Sequence, residues 1–194
     1  MGRTAYTAEN ISRLDLLGGR LRPANSPLRP PWALSEAVFL ETCTGCDACI
    51  DACPPSIIKK SRGGYPVVDF SFKGCTFCGD CVTVCRPKAL VQNKGTPPWT
   101  LLAVALPECL SANGTMCRMC GDRCDAQAIS FKLALGGKAN PIINYELCTG
   151  CGDCIAPCPV NALEITSHVS EHYRHEYFQF RHSLPSRQHC GPER

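Results

Sequence analysis

Cysteine spacing constrains this chain more than any other feature. Cys43, Cys46, Cys49 and Cys53, followed by Pro54, form the pattern C-x2-C-x2-C-x3-C-P. Cys75, Cys78, Cys81 and Cys85 repeat the spacing with Arg86 in place of the proline, and Cys148, Cys151, Cys154 and Cys158 repeat it with Pro159. A third copy is looser, with seven residues between Cys109 and Cys117 before Cys120 and Cys124 follow in register. Measured at the second cysteine of the pattern, the copies fall at 46, 78, 117 and 151, in steps of 32, 39 and 34. The chain is therefore a fourfold repeat, and repeats of this kind govern the whole fold. Sixteen of its 17 cysteines belong to the scheme, and Cys190 stands outside it.

Such cysteine density would mean a disulfide scaffold in a small secreted protein. Residues 1–22, however, carry four arginines and no apolar core of the length a secretory signal uses, and Leu21 splits Arg20 from Arg22, so there is no twin-arginine pair. The longest uncharged apolar run, 101–106, is far shorter than the roughly 20 residues needed to cross a bilayer. A cytoplasmic location is expected, with neither secretion nor membrane insertion. In that reducing compartment dense cysteine points to metal.

The spacing has a chemical reason. Two-residue gaps let three thiolates wrap a compact loop around three corners of an iron–sulfur cube, while the fourth cysteine points away and ligates the other cluster of a pair. The rule predicts four [4Fe–4S] clusters. Cys43, Cys46, Cys49 and Cys85 would hold the first, and Cys75, Cys78, Cys81 and Cys53 the second. Cys109, Cys117, Cys120 and Cys158 would hold the third, and Cys148, Cys151, Cys154 and Cys124 the fourth. Glycines inside the loops (Gly45, Gly79, Gly121, Gly150, Gly152) suit tight turns that bring N–H groups near sulfur. Structural zinc is the alternative, since it too uses four cysteines, but it pairs two separated C-x2-C knuckles around one ion. Three cysteines at successive two-residue gaps would crowd a single tetrahedral ion.

Between the motifs lie short β signals. Ile57-Ile58-Lys59 and Tyr65-Pro66-Val67-Val68-Asp69 flank Gly63-Gly64, and Ala128-Ile129-Ser130-Phe131 and Pro141-Ile142-Ile143-Asn144 flank Gly136-Gly137, so each pair reads as a hairpin. Ala89-Leu90-Val91 and Ala162-Leu163-Glu164-Ile165 read as one further strand per half, and 50–53, 82–85 and 155–158 as one-turn helices at most. The expected class is α+β: two ferredoxin-like units in tandem, with an N-terminal arm and a C-terminal tail. The divisions are 1–40 for a basic arm, 41–91 for the first unit, 92–100 for a Gly/Pro-containing linker, 101–166 for the second unit and 167–194 for a His-rich tail. So little apolar core remains that the clusters themselves should hold the fold.

The formal charge of +3 changes once cofactors are counted. Four oxidised clusters with their thiolates add about −2 each, bringing the sum to about −5. Nucleic-acid binding has no support from charge or motif. The paired glycines lack the spacing of a phosphate loop, and no hydrolytic or nucleophilic constellation stands out, so no catalytic residue is assigned and the chain is not expected to be an enzyme.

The resemblance that narrows the task lies outside the cysteines. Ser12-Arg13-Leu14-Asp15-Leu16-Leu17-Gly18-Gly19-Arg20 precedes Leu28-Arg29-Pro30-Pro31-Trp32-Ala33, then Glu36, Phe39 and the opening Cys43-Thr44-Gly45-Cys46-Asp47-Ala48-Cys49. With the long gap from Cys109 to Cys117 and Trp99 upstream of it, this stretch resembles the NapF-type ferredoxins of periplasmic nitrate reductase systems, from about residue 12 to residue 165. The resemblance implies a cytoplasmic helper that binds the molybdenum-containing catalytic subunit NapA before export and assists assembly or reductive maturation of its iron–sulfur cluster. Labile clusters that pass on iron, or stable ones that pass on electrons, would serve. The irregular third motif, with Cys109 on a long loop, is the weakest cage by sequence. A simple low-potential electron-transfer ferredoxin serving a redox enzyme is the alternative; iron–sulfur potentials span about −700 to +450 mV, and spacing does not fix them.

Two flanking segments complete the reading. Residues 3–29 hold five arginines against Glu9 and Asp15, a Pro-containing arm suited to docking a partner or to packing over the first cluster with Trp32 and Phe39 excluding water. All five histidines (His168, His172, His175, His182, His189) fall in the tail, the first three on one face of a helix if one forms there. No metal site is assigned to them, and Cys190 is expected to be a free thiol.

Overall fold

The computed structural model describes residues 27–166. The arm before residue 27, the five tail histidines and Cys190 lie outside the described residues. Chain order gives a helix α1 (Glu36–Thr42), one-turn helix α2 (Ala48–Asp51), strands β1 (Ile58–Lys60) and β2 (Pro66–Val68), and one-turn helix α3 (Asp80–Thr83). Strand β3 (Leu102–Ala105), one-turn helix α4 (Met119–Asp122), strands β4 (Ile129–Leu133) and β5 (Ala139–Ile143), and strand β6 (Leu163–Thr166) follow. None of the described helices is long and apolar enough to cross a membrane.

Both hairpins form. Ile58 faces Val68 in β1–β2, and Ile129 faces Ile143 in β4–β5, each pair antiparallel. The apolar run at 101–106, too short for a bilayer, becomes β3 and pairs antiparallel with β6, Ala105 opposite Leu163. Its counterpart in the first unit is shorter than the sequence suggested. Ala89-Leu90-Val91 makes an isolated bridge to Ala33, extended by Leu34 N–H donating to Ala89 O at 3.1 Å and Val91 N–H to Trp32 O at 2.9 Å. The partner segment begins Pro30-Pro31, and prolines bring no N–H to a ladder. The one-turn helices also start two residues earlier than the spacing suggested, on the residue before the third cysteine in α2 and α3, and 153–157 forms turns only.

The repeat is visible in the backbone. Three residues after the fourth cysteine of each copy, Ser56, Lys88, Gln127 and Asn161 all have left-handed φ of 56, 59, 50 and 50°. Each N–H turns back to the carbonyl of that cysteine, at 2.9, 3.1, 2.9 and 3.3 Å respectively. The next residue is buried every time: Ile57, Ala89, Ala128 and Ala162 are at most 2% exposed. The irregular third copy therefore ends like the others. Its departure is confined to its front half.

The core is divided between the units. Phe39, Ile57, Ile58, Val68, Phe70, Ala89 and Leu90 surround Cys49 and Cys81, while Ala103, Ile143 and Leu163 surround Cys120 and Cys154. Helix α1, which the sequence did not suggest, supplies Phe39 to the first cluster of side chains. Arg29 fixes it there. Its Nε and Nη2 donate to Glu36 at 2.9 and 2.6 Å, its Nη1 donates to Pro66 O at 3.0 Å, and its guanidinium lies 4.8 Å from the centre of the Phe39 ring. Residues 28–34 thus pack as part of the first unit.

The units meet along 70–77 and 149–155, with Trp99 of the connecting segment between them. Its ring packs edge-on against Phe70 and Phe77, centroids 5.9 and 5.6 Å away, and its Nε1 donates to Thr149 O at 3.0 Å. Cys75 N–H donates to Cys151 O at 2.7 Å and Gly74 N–H to Asp153 Oδ1 at 3.0 Å. Gly152 (φ +83°) permits the approach, because a Cβ there would overlap the Phe70 ring.

Candidate iron–sulfur centres

The fold brings cysteines of different repeats together. Cys43, Cys46 and Cys49 share a cavity of about 370 Å³, open space at its mouth included, with Cys85; Phe39, Ala89 and Leu90 complete its apolar wall. Cys75, Cys78 and Cys81 share one of about 300 Å³ with Cys53, walled by Pro31, Trp32, Ile57 and Phe77. In the second unit Cys109, Cys117 and Cys120 share about 370 Å³ with Cys158, beside Met119, Phe131 and Val160. Cys148, Cys151 and Cys124 all press electrostatically on the buried Cys154. Phe39 lies on the first cavity as expected, but Trp32, in the turn closed by Ala33 N–H on Pro30 O, lies on the second rather than the first.

Burial and mutual repulsion give these thiols a common electrostatic problem. Loss of solvent, then the neighbouring thiols Cys43, Cys85 and Cys46, pushes Cys49 up to about 11. Cys81 is pushed up to about 12 by burial and then by Cys75, Cys78 and Cys49, and Cys120 to about 11 by burial and then by Cys109 and, less, Cys117. Cys154 moves furthest in the same direction, again chiefly by burial. Cys75 reaches about 11 through burial, although the Phe77 N–H bonded to its Sγ at 3.4 Å opposes the rise. Four thiolates cannot share a dry cavity without a compensating cation.

A multi-iron core fits that demand. Sulfur is the only donor type the four groups offer, and backbone N–H groups already point at it: Ala128 to Cys124 Sγ at 3.3 Å and Ala162 to Cys158 Sγ at 3.2 Å. Such bonds stabilise anionic sulfur. A lone ion fits poorly. Among the described residues no three His, Cys, Asp or Glu side chains converge on a point one ion could occupy. A tetrahedral zinc needs all four sulfurs about 2.3 Å from one point.

The front of the third copy is built differently from the rest. The other copies place left-handed residues two after the first cysteine (Gly45, Phe77, Gly150) and one after the second (Asp47, Gly79, Gly152). In the third copy neither equivalent position, Ser111 nor Arg118, is left-handed; Cys109 opens a turn that Asn113 closes, its N–H on Cys109 O at 3.1 Å and its Nδ2 on Pro107 O at 2.7 Å and Cys109 O at 2.8 Å. Ser111, 2% exposed, ties the loop to β5 through its Oγ on Ala139 O at 2.5 Å and through Ala139 N–H on its own carbonyl at 2.9 Å. The front half of the long loop is anchored in this way. Met116 beside Cys117 is 94% exposed, and Met119 on the cavity wall is 50% exposed.

The groups also stand in sequence. Cys49 of the first group acts on Cys81 of the second, Cys151 of the fourth on Cys75 of the second, and Cys120 of the third on Cys154 of the fourth. The succession is first, second, fourth, third. Motif spacing carries no signal for this order, which depends on how the units dock.

Comparison with known proteins agrees with this chemistry. The 4Fe-4S dicluster domain family matches residues 42–90 and the 4Fe-4S binding domain family matches residues 141–164. Ferredoxin-type protein NapF of Escherichia coli (strain K12) is 43% identical over 154 residues, covering 79% of this chain and 93% of that protein. Ferredoxin-type protein NapF of Haemophilus influenzae is 38% identical over 167 residues, covering 81% and 94%. The methylamine utilization ferredoxin-type protein MauM of Methylophilus methylotrophus is 30% identical over 167 residues, covering 77% and 74%. No solved structure matches the chain.

Proposed function

The chain belongs to the NapF family of ferredoxin-type iron–sulfur proteins, and on that footing we propose that it carries four [4Fe–4S] clusters and delivers electrons to the catalytic subunit NapA of a periplasmic nitrate reductase while that subunit's own cluster is assembled in the cytoplasm. Cys43, Cys46, Cys49 and Cys85 hold the first cluster, and Cys75, Cys78, Cys81 and Cys53 the second. Cys109, Cys117, Cys120 and Cys158 hold the third, and Cys148, Cys151, Cys154 and Cys124 the fourth. When bound, each cluster supplies one-electron redox chemistry. The chain's own residues hold the sulfurs in apolar walls, aim N–H groups at them and keep the two units in contact. No residue acts as a catalyst.

One observation supports electron delivery over a pair of unconnected ferredoxin units. The Cys75–Cys151 hydrogen bond, at 2.7 Å, joins the second and fourth groups directly across the boundary. We read the four groups as a single row whose ends are the first group, with Cys46 exposed, and the third, flanked by exposed Met116 and Met119; Cys78 of the second group is exposed between them. A row with two accessible ends suits passage from a donor to an acceptor, and flexible methionines suit contact with a partner.

Iron donation from the third group is the second reading, suggested by the long loop. The pinning of that loop by Ser111 and Asn113 weighs against it, since release of iron requires ligands that let go. Reduction of the purified partner by the reduced protein, followed under anaerobic conditions, tests the proposal. Electron transfer one way with no loss of iron supports it, and failure to reduce the partner opposes it.

A further inference from the structure

Trp32 is unusual in three respects that share no obvious cause. Its φ is +59°, a region bulky residues seldom enter. Its side chain is 7% exposed. Its indole Nε1–H has no acceptor among the described residues. Backbone strain and a buried orphaned donor both cost free energy, so a residue combining them needs an explanation.

The backbone explains the conformation but not the choice of residue. Ala33 N–H donates to Pro30 O at 3.2 Å, closing a four-residue turn with Pro31 and Trp32 at its centre. A turn with proline first and a positive φ second ordinarily takes glycine at the second place. The backbone of Trp32 is held firmly nonetheless. Trp32 N–H donates to Pro98 O at 2.6 Å and its carbonyl accepts from Val91 N–H at 2.9 Å. The side chain so fixed walls the cavity containing Cys53, Cys75, Cys78 and Cys81.

Resting on the proposed occupancy of that cavity, we infer that the indole Nε1–H of Trp32 donates a hydrogen bond to a sulfur of the second cluster and raises its reduction potential. Cys53, Cys75, Cys78 and Cys81 supply four sulfurs to that cavity, against a single side-chain oxygen, that of Thr76. The cluster with its thiolates carries more negative charge when reduced, so a donor stabilises the reduced form more than the oxidised one. A dry site strengthens the effect. The second unpartnered buried atom among the described residues, Asp47 Oδ1 in the first cavity, is an acceptor and cannot act in this way. The competing arrangement is a water molecule meeting the indole from the open groove that Trp32 also borders, beside Arg29, Asn93 and Thr96.

The test uses the full chain, reconstituted anaerobically, as wild type, W32F and C75S. Phenylalanine keeps a ring in the turn and removes the N–H. W32F is expected to keep its iron and to show one midpoint potential lowered and the rest unchanged. With the indole nitrogen isotopically labelled, pulsed EPR of the reduced wild type is expected to show nitrogen and exchangeable-proton couplings on a single cluster, both lost in W32F. If W32F loses iron through poor packing, the couplings in the wild type decide alone. Unaltered potentials in iron-replete W32F, or absent couplings in the wild type, would overturn the inference. The cluster signal lost in C75S must be the one carrying the couplings; full iron in C75S would instead overturn the assignment of that cavity.

Discussion

The amide of Cys75 donates to the carbonyl of Cys151 at 2.7 Å, tying a cysteine of the first unit to one of the second. Neighbouring residues depend on that contact. Gly74 N–H reaches Asp153 Oδ1 at 3.0 Å, and Gly152 gives the Phe70 ring its place. Gly152→Val adds a branched side chain at φ +83° against an aromatic ring. It should cost about 1–3 kcal/mol in overpacking alone. Full iron content, faster proteolysis within 92–100 and weaker magnetic interaction between the clusters of the two units are expected. Wild-type interaction in the variant would show that the row does not pass through this junction.

Ser111 tests whether the long loop is a closed cage or an exit. Ser111→Ala removes the bond to Ala139 O, about 1 kcal/mol. Iron from one cluster should then pass to a strong chelator about five-fold faster, with the other three unaffected. Cys109→Ser should go further and lower iron by about one cluster in four, as expected when one of four corner thiolates is removed. Unchanged iron in that variant would mean the third set of ligands is wrong.

Arg29 and Glu36 separate ring packing from ion pairing. Glu36 is held below the usual carboxylate range, mainly by its hydrogen bond from Arg29, but its side chain is 45% exposed, so the pair is screened. Glu36→Ala should cost less than about 1 kcal/mol. Arg29→Ala also loses the Phe39 and Tyr65 ring faces and the Pro66 carbonyl, at 4.8, 5.7 and 3.0 Å, and should cost roughly 2–3 kcal/mol. Guanidinium-driven bleaching of the cluster absorbance compares them. Equal losses would assign the whole effect to the ion pair.

Much of this could be read from the sequence because the repeat is chemical. The spacing that gives each cysteine its neighbours acts within a few residues or between adjacent copies, and glycine pairs mark both hairpins. Helix α1 and β3 were not legible. Glu36–Thr42 is held by Arg29 and by the burial of Phe39 rather than by any cap, and Leu102–Ala105 becomes a strand by pairing with Leu163–Thr166, some sixty residues away. Of the two side chains that packing of the arm over the first cluster would use, Phe39 lines the first cavity and Trp32 the second. The order of the four groups was equally hidden, since it arises at a contact between units.

The arm can be divided by truncation. Leu28 O accepts from Val68 N–H at 2.8 Å, so the first unit begins before Pro30. Removing residues 1–26 should leave iron content intact and weaken capture of the catalytic subunit. Removing 1–34 should also accelerate loss of iron from the first two clusters. If capture is unchanged by the shorter truncation, the arm is not the docking element.

Electron delivery is tested most directly by reconstituting the protein with isotopically labelled iron, reducing it anaerobically, mixing it with apo catalytic subunit supplied with unlabelled ferric iron and sulfide, from which a [4Fe–4S]2+ core forms only on uptake of two electrons, and re-isolating both. The expected result is an active partner with a complete cluster and no label, alongside a protein that keeps its iron and has lost electrons. Label recovered in the partner's cluster, with a matching loss from this protein, would contradict electron delivery and establish iron donation.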